Sequence, residues 1–166
     1  MLAMPMRSRH RFFENDIRAV VFRPYWNVPP RILRDEVVVD ITAYRNYVRD
    51  NNMEVTTPDG AVVTSGTISD DVLRQLRAGK LSVRQKPGPN NALGLLKIIF
   101  PNQHSVYLHD TPQMAQVFKS DERKWSHGCT QLQYPAELAR WLLRNVPEWN
   151  PSRIEYAMHQ GPEARS

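Results

Sequence analysis

One cysteine stands in the 166 residues of this chain, at position 129. A single thiol excludes an intrachain disulfide. Within a monomer it also excludes any zinc site that needs two or more cysteine ligands. What remains is a buried small hydrophobe or a reactive thiol. Long apolar runs are scarce as well. The most apolar stretch, 93–100, is interrupted by Gly94 and Lys97 and is far shorter than the ~20 residues that span a bilayer. No secretory leader is legible, because Met1–Met6 is short and Arg7, Arg9, His10 and Arg11 follow at once. A leader needs an apolar region of about 7–15 residues after its basic start. Internal repeats and low-complexity tracts are absent.

What is present suits one folded domain. Apolar residues make up 41% of the chain, with 4 Trp, 6 Tyr and 5 Phe, so a core can form. Lys and Arg number 22 against 17 Asp and Glu, a net charge of +5. The basic residues are spread out with carboxylates among them, which argues against a nucleic-acid footprint. Lys119, Arg123 and Lys124 beside Asp121 and Glu122 read as a solvated mixed-charge loop.

Local signals give a mainly β order with a helical insertion, an α+β domain. Residues 1–18 read as a poorly ordered start. Ala19–Phe22 is a short strand closed by Arg23-Pro24, and Tyr25–Pro30 is a rigid aromatic and proline connector. The spacing of Val37, Ile41, Tyr44 and Val48 predicts a helix face within 31–52. Pro58-Asp59-Gly60 predicts a hairpin turn between 53–57 and 61–64. Ser69 predicts the cap of a helix ending at Gly79. Strands follow at 81–86, 95–101 and 105–110. Tyr134-Pro135 opens a helix expected to bury Leu138, Trp141 and Leu142, and Asn150-Pro151 opens another running to about Met158. Residues 161–166 read as a tail.

The chemistry concentrates between 106 and 132. Cys129 ends Ser126-His127-Gly128-Cys129, and His109 lies twenty positions earlier at a strand end. A free thiol, with a pKa of about 8.5, is mostly protonated at neutral pH and needs a base to act as a nucleophile. Imidazole can take that proton and return it. A glycine turn before Cys129 lets successive backbone N–H groups converge on an oxyanion. This set suits acyl transfer through a thioester.

Tyr107-Leu108-His109-Asp110-Thr111 followed by Ser126-His127-Gly128-Cys129 resembles the active-site signature of the YkuD family of L,D-transpeptidases. The likeness to the large YcbB-like subgroup extends through Val21–Pro29, Asn51–Val55, Arg84–Gly94 and Trp149-Asn150 with Arg153-Ile154, about residues 17–160 in all. The resemblance implies a β-sandwich-like catalytic domain over 19–160, with 31–80 as an insertion capping the substrate cleft. It implies Cys129 as nucleophile, His109 as proton donor and acceptor, and the Asp110 backbone carbonyl orienting the His109 ring. The N–H groups of His127, Gly128 and Cys129 would hold the oxyanion, and Ser126, Gln131 and Tyr107 would contact substrate. The donor would be a peptidoglycan tetrapeptide stem, cleaved before its terminal D-alanine. A neighbouring stem's side-chain amine would complete a 3-3 cross-link. No cofactor, metal, nucleic acid or membrane span is implied, carbapenems would acylate Cys129, and the family acts in the periplasm or cell envelope.

Two departures stand out. The subgroup usually carries Arg two positions after the cysteine, where this chain has Gln131, a residue without Arg's permanent charge and fork geometry. Relatives also carry further strands at both ends, so the domain is expected to be incomplete. Two other readings stay open. One is a catalytically impaired remnant or peptidoglycan-binding module of the same fold. The other is a metal hydrolase using His109, His127 and Cys129 with His104 or His159.

Overall fold

The structure is a computed structural model describing residues 2–3, 15–103, 106–119 and 129–166. The fold is α+β, and the chain divides into two compact units, one of residues 1–24 with 87–166 and one of 25–86.

The first unit is built on a six-stranded sheet. Its strands are β1 (Leu2–Ala3), β2 (Ala19–Phe22), β7 (Leu96–Ile99), β8 (Leu108–His109), β9 (Thr130–Leu132) and β10 (Ala164–Arg165), in the order β1-β9-β8-β7-β2-β10. All neighbours are antiparallel except β8 and β9, which run parallel. Register decides which side chains share a face. Val20 pairs with Ile98 and Ile98 with Leu108, while Phe22 pairs with Leu96. These residues join Leu132 in one core with Ala139, Leu143, Trp149, Ile154, Ala157 and Met158. The Phe22 and Trp149 rings stack at 4.9 Å. The alternate row runs Arg165, Val21, Lys97, His109, Gln131, so the pleat sends His109 and Gln131 to the side opposite that core.

Helices of this unit are α5 (Met114–Lys119), α6 (Pro135–Leu142) and α7 (Pro151–His159). Asn150 caps α7, its Oδ1 accepting from Arg153 N–H at 2.9 Å. The α6 face differs from the expected one. Ala139 and Leu143 are buried, Leu138 and Leu142 flank them, and Trp141 is 59% exposed beneath the Arg144 guanidinium at 4.3 Å. At about 100° per residue, centring the stripe on Ala139 and Leu143 carries Trp141 to the opposite face of the helix. The end of the chain also differs. Where 161–166 reads as a tail, Ala164–Arg165 pairs with β2, and Ser166 accepts from Val20 N–H through Oγ and donates its own N–H to Val20 O. Of the segment read as poorly ordered, 4–14 lies outside the described residues. Leu2–Ala3 pairs with β9, and Arg18 N–H donates to Ile99 O.

The second unit holds a four-stranded sheet in the order β3-β6-β4-β5: β3 (Trp26–Asn27), β4 (Met53–Thr56), β5 (Val62–Thr64) and β6 (Ser82–Gln85). Gly60 closes the predicted hairpin at φ +91. Its helices are α1 (Pro30–Ile32), continued by a π-helical stretch (Leu33–Val37) into α2 (Val38–Ala43), then α3 (Tyr47–Asp50) and α4 (Asp70–Arg77). Ser69 Oγ caps α4 by accepting from Val72 N–H, and Gly79 turns the chain at φ +68. The core gathers Leu33, Val37, Ile41, Val48, Met53, Val55, Leu73, Leu76 and Val83.

The single helix face expected within 31–52 is broken. Tyr44 is extended (φ −142) and about half exposed, while Val37, Ile41 and Val48 are buried. Partners far along the chain take over the turn. Arg45 O accepts from Ile68 N–H, and Asn46 Oδ1 accepts from the Thr67 hydroxyl. Thr42, back-bonded to Val38 O at 2.6 Å, further weakens the helix end.

Candidate active site

Parallel pairing of β8 and β9 assembles the site. It sets Leu108 beside Thr130 and His109 beside Gln131, and Thr130 N–H donates to Tyr107 O at 3.2 Å. Cys129, immediately before β9, therefore arrives next to Tyr107. Parallel neighbours cannot be joined by a hairpin and need a long crossover, which accounts for the twenty positions between His109 and Cys129. Ser126, His127 and Gly128 lie outside the described residues, as does His104.

The His109 ring is buried and held. Its Nδ1–H donates to the Asp110 carbonyl oxygen at 2.5 Å, and the Tyr107 ring meets it edge-on at 5.9 Å. A donor at Nδ1 leaves the Nε2 lone pair free to accept a proton. Burial lowers the His109 pKa from its ordinary 6.5, against the raising effect of the Asp110 hydrogen bond, so the ring is neutral at neutral pH. Cys129 is a half-buried thiol outside any disulfide. Burial raises its pKa above the ordinary 9.0, opposed by backbone and side-chain hydrogen bonds from Tyr107. Both shifts favour the neutral forms, a thiol and an imidazole.

Gln131 is buried beside His109, and among the described residues its Oε1 is a buried acceptor with no hydrogen-bond partner. Lys97, opposite His109 in the antiparallel register, stands over the Tyr107 ring at 6.0 Å. Burial lowers its pKa, with Glu163 raising it. Lys97 went unnoticed in the sequence as a site neighbour, although a cation alternating with Leu96 and Ile98 marks the polar face of a strand.

For the metal-hydrolase alternative, His159 sits on the last turn of α7, paired with Glu155 at 3.2 Å. Among the described residues, no group of three or more His, Cys, Asp or Glu side chains is gathered for a metal ion. No described helix is long and apolar enough to cross a membrane.

Comparison with known proteins identifies the family of the chain. A "Putative L,D-transpeptidase" of Haemophilus influenzae is 31% identical over 134 residues, 81% of this chain. The chain spans about a quarter (26%) of that relative's length. The family profile described as L,D-transpeptidase catalytic domain matches residues 9–160. The chain therefore belongs to the YkuD family of L,D-transpeptidase catalytic domains.

Proposed function

We propose that this chain is a cysteine L,D-transpeptidase that forms 3-3 cross-links between peptidoglycan stem peptides in the cell envelope. The observation that carries the reading is the His109 Nδ1–H bond to Asp110 O, on the strand beside the one that Cys129 leads into. It presents a neutral imidazole with Nε2 free as a base. Cys129 Sγ attacks the carbonyl carbon of the third stem residue, and the thiol proton passes to His109 Nε2. The N–H groups of His127, Gly128 and Cys129 stabilise the oxyanion. The C–N bond then breaks, and D-alanine leaves as an amine carrying the proton from His109. An acceptor amine attacks the thioester and gives a proton to His109. That proton returns to sulfur as Cys129 departs. Ser126 and Tyr107 contact the stem in this reading, and residues 31–80 serve as the capping insertion.

Gln131 supports a refinement. Its neutral side chain offers an acceptor without a partner among the described residues, which suits an amide N–H of the stem better than the carboxylate an arginine would take. The same residue favours the second reading, a module that binds peptidoglycan without turnover. A carbapenem separates the two. Intact-mass spectrometry should show one covalent adduct on the native chain and none on Cys129→Ala. Folded native protein without an adduct contradicts the enzymatic reading. Retention on purified peptidoglycan without D-amino-acid exchange would then support the binding module.

A further inference from the structure

The Pro87–Gly94 segment contributes to the family resemblance but supplies no residue to the chemistry above. It lies against Asp110. Gly94 has φ +61, and a Cβ added there would stand 2.5 Å from Asp110 Cγ and 2.6 Å from its Cβ, with Oδ2 nearer still. Only glycine gives both that backbone conformation and that clearance. Asp110 Oδ2 accepts from Leu95 N–H at 2.8 Å, and Oδ1 accepts from Thr111 N–H at 2.7 Å. Asp110 N–H donates to Leu96 O at 3.0 Å.

The turn under Gly94 is itself tied down. Asn91, 1% exposed, accepts from Leu93 N–H through Oδ1 and from Gly94 N–H through its carbonyl, and its Nδ2 donates to Pro24 O.

These bonds fix more than a side chain. Thr111 N–H and Asp110 C=O belong to one planar trans peptide and point in opposite directions. Holding the N–H on one side aims the carbonyl to the other, where it receives His109 Nδ1–H. We propose that the Asp110 carboxylate, seated on Gly94, is a positioning residue that locks the 110–111 peptide plane and so sets the tautomer and aim of the His109 imidazole. The Asn91–Gly94 turn gains a role in the chemistry without touching substrate. This inference rests on His109 acting as the base in the reading above.

The test compares native protein with Asp110→Asn, which keeps the shape but must turn an NH2 toward one of the two N–H donors. Nitrogen-15 NMR of His109 should show one Nδ1–H tautomer in the native protein and a mixture in Asp110→Asn. The maximal rate of carbapenem acylation should fall by about tenfold or more, with half-saturation unchanged. A folded Asp110→Asn protein with the native tautomer and a rate within about twofold of native would overturn the proposal. A second measurement needs no variant. A through-bond coupling from Thr111 N to Asp110 Cγ is expected in the native protein, and its absence contradicts the lock. If the native chain forms no adduct at all, the transpeptidase reading fails instead, while the tautomer and coupling still report on the lock.

Discussion

Gly79 and Gly94 hold nearly the same backbone conformation, φ +68 and +61, in two differently built regions. Gly79 ends a helix in the unit of residues 25–86, and a Cβ there would meet nothing within 4 Å. Gly94, in the unit that carries the candidate site, supports the Asp110 side chain. One glycine serves only the chain's own turn, and the other serves a partner sixteen residues away. The contrast extends to the two interiors. The 25–86 unit encloses a mainly aliphatic core, with Thr56 and Gln85 buried on its strands and a Glu54–Arg84 pair across adjacent strands. The unit with the candidate site has a larger buried polar set, Asn91, His109, Asp110, Thr111, Thr130 and Gln131. Buried polar groups are tolerated when they bond to one another. Here that requirement ties the orientation of His109 to backbone in three separate chain segments.

Substituting the two glycines exposes the difference most strongly. Gly79→Ala should cost only left-handed strain, about 1–2 kcal/mol. Gly94→Ala adds overlap with Asp110, for a total of about 2–5 kcal/mol. Hydrogen exchange read separately over the two units checks this, and equal costs would break the comparison.

In the 25–86 unit the charge pair is tested by Arg84→Met. It leaves the Glu54 carboxylate, 9% exposed, without its partner at 2.6 Å. The cost is about 2–3 kcal/mol, below that of a fully buried pair. Most of it should disappear when Glu54→Gln is added. A double variant as unstable as the single one would contradict this.

Next in size is the pH response of the unit that carries His109. Burial lowers the His109 pKa below 6.5, so stability linked to its neutral form is complete above 6.5 and is lost as pH falls through the lower folded value. Acylation should follow the same acid limb, falling about tenfold per pH unit below that pKa. A midpoint above 6.5 would contradict the assignment. The smallest effects are the helix caps, where Ser69→Ala and Asn150→Ala should each cost about 1 kcal/mol in denaturant unfolding.

Those caps were legible because their partners lie three residues away. The same holds for the Pro58-Asp59-Gly60 turn, the Gly79 stop and the strands around 19–22 and 96–99. Signals that depend on distant partners were not legible. The helix face through Tyr44 fails because Arg45 and Asn46 bond to residues 67–68. The strand at 164–165 depends on β2, more than 140 positions earlier. Trp141 carries a strong apolar signal, yet the stripe centred on Ala139 and Leu143 leaves it on the opposite face of the helix. At the site, Cys129 and His109 stood out by residue type and motif. The Asp110 side chain did not, because only the fold brings Gly94, Leu95 and Thr111 to its two oxygens.

The most direct test offers the native chain a tetrapeptide stem and quenches early for intact-mass spectrometry. The account predicts a mass increase equal to the tripeptide acyl group, located on Cys129, with one D-alanine released per adduct. D-alanine release that persists in Cys129→Ala, or an adduct on any other residue, would contradict it.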